Sequence, residues 1–291
     1  MSHLLTSMQT SFSKLFQAYK ANVILGWKMD GNWAPPWVYL FIALLGPAAS
    51  VLILVFMYLV ILGDSSETNF IAFMMAGSGV FVFVRFVLQG CGWAVVEDRE
   101  HYKILRYIYI APTPFIVQIL GRSTGKTFIA TVGAGLTILA GYLFLDIPFR
   151  PEGIDWLMFL GSAIVGLIGC FALGWILTGV MLLVDRMGWV MVEGVAGLLF
   201  LLSGAVIPLG TLPVFLANIG KILPITYWAE LWRYALYGPG AALSLPGMKI
   251  PEIWQGLIIT SVVTLILSFV WHSFADKIAR KWGRIEAETF Y

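Results

Sequence analysis

Six long stretches of this chain are apolar almost without interruption, and no other feature limits its fold so strongly. They run from Trp37 to Leu62, Phe70 to Val96, Phe115 to Leu145, Trp156 to Val184, from Trp189 onward, and from Ile253 to Phe274. A helix needs about 20 mainly apolar residues to cross the hydrocarbon core of a bilayer. In lipid every backbone N–H and C=O must be satisfied within the protein, which favours helices for runs of this length. The expected fold is therefore an all-α integral membrane protein with six transmembrane helices. Composition agrees, with 59% hydrophobic and 12% charged residues, where ordinary domains carry roughly a quarter charged.

One short stretch points elsewhere. Gly121 to Thr127 reads "GRSTGKT", close to the phosphate-binding pattern G-x-x-x-x-G-K-[S/T]. The two glycines are one residue too close for the loop whose N–H groups converge on a phosphate. A nucleotide-binding domain would also need a parallel sheet and a polar surface, and no polar stretch supplies them. The residues after Thr127 are apolar and nearly uncharged. The stretch is expected to be the cytoplasmic foot of the third span, with small residues for helix packing and two cations near the lipid headgroups.

Lys and Arg near the span ends set the orientation. Lys14, Lys20 and Lys28 precede the first span, and Arg99, Lys103 and Arg106 follow the second. Arg186 follows the fourth, and Lys277, Arg280, Lys281 and Arg284 follow the sixth. The opposite side has Arg150, Lys221, Arg233 and Lys249. Both termini are expected in the cytoplasm, in a multi-pass protein of the cell membrane. The net charge of +2 is spread along one edge, and no nucleic-acid surface is expected. Cys91 and Cys170 fall in apolar runs, which implies neither a disulfide framework nor a metal site. His3, His101 and His272 are scattered, so no catalytic cluster within the membrane is expected.

The chain reads as a single membrane domain over 1–291. Residues 1–36 form an amphipathic helix along the inner surface, with Phe12, Phe16, Tyr19, Val23 and Trp27 at helical spacing. Spans one to five occupy 37–210, an unusual segment 204–238, the sixth span 253–275 and a cytoplasmic tail 276–291.

Two connections carry most of the information. The loop from Val95 to Arg122 opens with Glu97, Asp98, Arg99 and Glu100. It continues with Ile104, Leu105 and Ile108 at helical spacing and breaks at "APTP". It is expected to be a short amphipathic helix whose tyrosines, Tyr102, Tyr107 and Tyr109, suit a docking surface amid charges. The second connection runs from Gly204 to Gly238. Pro208, Pro213 and Pro224 recur there at intervals that no straight span tolerates. The pieces between them are too short to cross about 30 Å at 1.5 Å per residue. They are also too apolar for a solvated loop. Glu230 and Arg233 lie three apart and are expected to pair on one helix face.

These patterns resemble those of the type-2 ABC-transporter permease family. The first matches in Glu97, Arg99, Glu100, Leu105, Ala111, Pro112, Leu120, Gly121 and Arg122. The second matches in Gly204, Pro208, Leu212, Pro213, Pro224, Thr226, Tyr227, Glu230, Arg233 and Gly238. The chain departs from the pattern at Lys103 and Ile104, where the family often has Gly-Thr. The resemblance covers nearly the whole chain. It implies the transmembrane subunit of an ATP-driven ABC exporter, with no covalent chemistry and no cofactor of its own. ATP and Mg would be bound by a separate nucleotide-binding ATPase subunit, present in two copies. That subunit would dock at a coupling helix carrying Glu97, Arg99, Glu100, Leu105, Ile108 and Pro112. A second permease chain, identical or different, would complete the path for an amphiphilic substrate such as a drug, a lipid or a lipid-linked glycan. The segment from Gly204 to Gly238 would form two short re-entrant helices closing an outer gate at Pro208, Pro213, Pro224, Tyr227, Glu230 and Arg233. The alternative is an ion-coupled secondary transporter, which predicts broken spans in both halves of the chain. A broken segment is visible only after the fifth span.

Ionisable residues at membrane depth are functional candidates by default. Here they are Arg85, Arg122, Lys126 and Glu193. Glu193 is expected to neutralise Arg122 or Lys126. That leaves Arg85 for a carbonyl, a dimer partner or an anionic part of a cargo.

Overall fold

Helices and short turns make up the computed structural model, and no strand occurs among the described residues. These are residues 2–31, 68–145, 153–184 and 188–285, with single positions between 35 and 56. Most of the apolar run from Trp37 to Leu62 lies outside them, as do Arg150, Arg186, residues 286–291 and the side chain of Phe12. The helices are α1 (Ser2–Gly31), α2 (Thr68–Val96), α3 (Leu105–Ile110), α4 (Phe115–Leu145) and α5 (Trp156–Leu183). They continue with α6 (Gly188–Leu202), α7 (Val214–Gly220), α8 (Pro224–Tyr237) and α9 (Ile250–Lys281).

Among the described residues three stretches are long and apolar enough to cross a membrane: Asn69–His101, Trp156–Leu183 and Ile250–Lys281. They are used differently. α2 is the hub, with α4, α5, α6 and α8 packed around it and Phe73, Val80, Val87 and Val95 fully enclosed. α5 and α9 pack along each other and turn Leu157, Ile164, Ile259, Ile266 and Val270 outward. Burying such a face in lipid removes it from water at roughly 25 cal/mol per Å². α6 has 15 residues, which at 1.5 Å per residue is well short of the roughly 30 Å hydrocarbon core. The apolar run that begins at Trp189 therefore does not continue as one long helix. It stops where Gly204 takes φ 69°, a left-handed turn that glycine adopts without steric cost.

"GRSTGKT" lies wholly within α4 as regular helix, so its N–H groups do not form a phosphate loop. Its small residues let α1 approach. A Cβ at Gly121 would stand 2.6 Å from Asn22 Cβ, and one at Gly125 3.2 Å from the Val23 carbonyl oxygen. The Tyr19 hydroxyl donates to Thr124 Oγ1 at 2.9 Å, and Trp27 meets Phe128 edge-on at 5.9 Å. On another face of α4, Ser123 donates to the Val87 carbonyl of α2. Of the predicted apolar stripe of α1, Tyr19, Val23 and Trp27 are partly covered, while Phe16 is 58% exposed.

The prolines after α6 start helices rather than break one. Pro208 leads into the turn Leu209–Thr211, Pro213 immediately precedes α7, and Pro224 is the first residue of α8. At a helix start the missing N–H has no intrahelical partner to lose. The two short helices then part company. α7 exposes Val214 and Phe215. α8 buries nearly its whole circumference among α2, α5 and α9. Trp228 seats against Gly166 of α5, and Trp232 stacks on Phe159 at 4.3 Å.

Candidate functional site

Charged side chains gather at both ends of the bundle and along one stripe between them. The first group lies at the C-terminal end of α2. The helix widens there into a π-helical turn, Glu97–His101. Lys103 then takes φ 55°, and the chain restarts as α3. The charges of this turn find partners within the fold. Arg122 of α4 donates to Asp98 at 2.6 Å and also to Glu97. Arg99 donates to Glu100 at 2.9 Å and to the carbonyls of Met181 and Val184, at the end of α5, at 3.2 and 2.7 Å. Asp98 and Arg99 are buried. Packing α2 against α4 and α5 removes water from these groups, and a buried charge is tolerable only when paired and hydrogen-bonded.

Two features bear on the expected coupling helix. Glu97, Arg99 and Glu100 brace the base of α3 through arginine–carboxylate contacts. Leu105 is core, 1% exposed, and Ile108 is half-buried. The large apolar residues of α3 that face outward are Tyr107 and Ile110, 54% and 79% exposed, with the exposed Arg106 holding its guanidinium over the Tyr107 ring. The sequence signal for them was available, since three residues apart is one helical face. Pro112 lines a groove between α3 and α9, with Tyr109, His272, Asp276 and Arg280. Burial and the neighbouring Asp276 carboxylate hold the Tyr109 phenol above its ordinary range.

The stripe runs along α2. Phe81, Arg85, Gln89 and Trp93, each four apart, are half-buried while the residues between them are buried. α6 lies against this side of the helix. Phe81 meets Phe200 with ring centroids 4.5 Å apart. Arg85 donates to Glu193 at 3.3 Å, and Gln89 donates to its other oxygen at 2.6 Å. The partner of Glu193 is thus Arg85, and neither Arg122 nor Lys126. Arg122 is engaged by Glu97 and Asp98, and the Lys126 ammonium lies 5.3 Å from the centroid of the Trp93 ring. Gln89 lies one turn from Arg85, but as an amide it carries no charge signal in the sequence.

The second end holds Arg233 and Glu230, both fully buried. Arg233 donates to Glu230 at 2.8 Å and to Ser244 at 3.2 Å. It also donates to the carbonyls of Gly204, Ala205 and Phe73 at 2.8, 2.9 and 3.2 Å. The other Glu230 oxygen accepts from the N–H groups of Ser244 and Leu245. All five guanidinium protons have acceptors. Around the turn before α8, Thr226 and Tyr227 donate to the carbonyls of Gly220 and Lys221.

Among the described residues no group of His, Cys, Asp and Glu could hold a metal ion, and Cys91 and Cys170 are buried free thiols. Neither a protein-family model nor a curated protein matches this chain.

Proposed function

We propose that the chain is the transmembrane subunit of an ATP-driven exporter of the type-2 ABC permease kind, moving an amphiphilic substrate across the cell membrane. The observation that carries this reading is α3, whose Tyr107 and Ile110 point outward from a base of buried arginine–carboxylate contacts. Aromatic and aliphatic side chains amid charges are the usual anchors of a docking surface. The base links α2 to α4 through Arg122 and α2 to the end of α5 through Arg99. A push on α3 would therefore move three helices together. The partner is a nucleotide-binding ATPase in two copies, holding ATP and Mg, and a second permease chain completes the path. In this reading α4, the run from Trp37 to Leu62, and α6 with its following segment supply the remaining three of six spans. Both termini are cytoplasmic, and α7 and α8 lie on the outer side. The exposed α7 is the movable part of the gate, and the enclosed α8 is its anchor.

The test is a photo-reactive residue at position 110 in the tagged chain in its native membranes. The expected product is a cross-link to a nucleotide-binding ATPase, lost on Tyr107→Ala while the chain stays folded. A folded chain that cross-links to no ATPase overturns the reading. The cluster Arg85–Gln89–Glu193, on an apolar helix, favours the second reading of an ion-coupled transporter. That reading requires transport to persist with ATP depleted and an ion gradient maintained.

A further inference from the structure

Beside the base of α3, where the end of α2 meets the start of α6, a cavity of about 470 Å³ opens. Its walls include Trp93, Trp189, Tyr102, His101, Glu97 and Glu100. The size is that of a small-molecule site. The charges lining it are both carboxylates. The arginines paired with them, Arg99 and Arg122, are buried behind the wall and do not line it. Glu97 gives one oxygen to Arg122, and Glu100 pairs with Arg99.

Two indoles and a phenol line the same space, and indole is the best of the aromatic cation acceptors. Trp93 shows this capacity within the fold, since the Lys126 ammonium already lies near its ring. An anion entering the cavity would meet two carboxylates. A neutral apolar ligand would strip water from them and return nothing. A cation with an apolar skin meets both demands. From the cavity the stripe of α2 leads along Gln89, Arg85 and Phe81 towards the other end of the bundle.

We propose that this cavity binds an organic ammonium group, the head of a lipophilic amine or quaternary ammonium compound. Trp93, Trp189 and Tyr102 line the space around the cation, and the Glu97 carboxylate at the wall supplies attracting charge. Calling this ligand a cargo rests on the transport reading; the binding itself does not.

The experiment uses the full chain in lipid nanodiscs with tritiated benzyltrimethylammonium at about 0.15 M salt, where long-range surface attraction is screened. Saturable binding is expected, displaced by the unlabelled cation and not by neopentylbenzene, its uncharged isostere. Trp189 is 58% exposed, so Trp189→Ala leaves the fold intact, and it should weaken binding about tenfold. Trp189→Phe should keep most of the affinity, and Val190→Ala all of it. Absence of saturable binding, equal displacement by neopentylbenzene, or undiminished binding by Trp189→Ala overturns the proposal. Displacement by short-chain phosphatidylcholine and not by short-chain phosphatidylglycerol assigns the site to a lipid headgroup. Displacement by free ammonium compounds alone assigns it to a soluble amphiphile. If binding fails while the ATPase cross-link at position 110 persists, the cavity proposal falls alone. If the cross-link fails while binding persists, the exporter reading falls alone.

Discussion

Two ion pairs set on apolar helices, Arg233–Glu230 and Arg85–Glu193, stand on opposite terms with their surroundings. The first is sealed: its side chains are 0% and 1% exposed, and backbone carbonyls and N–H groups take up what the partners leave over. Arg233 reaches from α8 to the N-terminal part of α2, to the turn after α6 and to Ser244 before α9. It is a rivet joining the elements of one end. The second pair is 39% and 34% exposed, has one additional neutral partner in Gln89, and lies on the only half-buried stripe of α2 among the described residues. Proteins keep a polar group inside a membrane when it fastens the fold or when it faces a path. Side-chain surroundings, more than the presence of charge, separate the two pairs here.

That contrast is open to measurement. The largest effect is expected at the rivet. Arg233→Met leaves Glu230 charged, buried and unpaired, a loss of about 3–5 kcal/mol, read as collapse of the thermal transition in detergent. An unchanged Tm would break the contrast at its stronger pole. Next comes the inner cluster, where Arg122→Met leaves Asp98 buried without its cation. A cost of about 2–3 kcal/mol is expected, together with faster proteolysis in the α3 region, because α3 loses its brace to α4.

Glu193→Gln is expected to cost less than about 1 kcal/mol if the stripe is wet, while altering transport. A loss of about 2.5–3.5 kcal/mol would instead place the stripe in hydrocarbon. A double-mutant cycle with Arg85→Gln should show coupling, and one with Arg122→Gln should be additive. The smallest effect belongs to Lys103, whose φ of 55° is costly for a residue with a Cβ. Lys103→Gly should fall within about 1 kcal/mol of neutral, since relief of that strain offsets added freedom of the unfolded chain. Lys103→Val should be clearly worse, because a β-branched side chain tolerates the left-handed region least. Equal stabilities would show that the turn relaxes out of that conformation.

Much of this was legible in residue order. Pro208, Pro213 and Pro224 announced short elements because proline ends or starts helices wherever it stands. The pairing of Glu230 with Arg233 followed from a spacing of three on one helix. The glycines of "GRSTGKT" were readable as helix-packing residues. The neighbours across a helix interface were not readable. Leu105 and Ile108 share a face on any helical wheel, yet the first is core and the second half-buried. The charges from Glu97 to Glu100 read as the opening of a docking helix, because nothing in their order reveals that α4 and α5 close over Asp98 and Arg99. The cavity with Trp93 and Trp189 is assembled from residues almost a hundred positions apart.

Sequence alone determined that the chain is helical, which stretches are apolar enough to enter a membrane, and where short helices begin after α6. Those properties depend on hydrophobicity, proline chemistry and the spacing of 3.6 residues per turn, all local. Tertiary structure decided that Glu193 meets Arg85, that Arg122 meets Asp98 and Glu97, and that α8 is enclosed while α7 is not. The physical reason is rotational. Helical periodicity states which residues share a face, but packing against neighbours decides which way that face turns, and a rotation of about 100° per residue exchanges a buried partner for an exposed one.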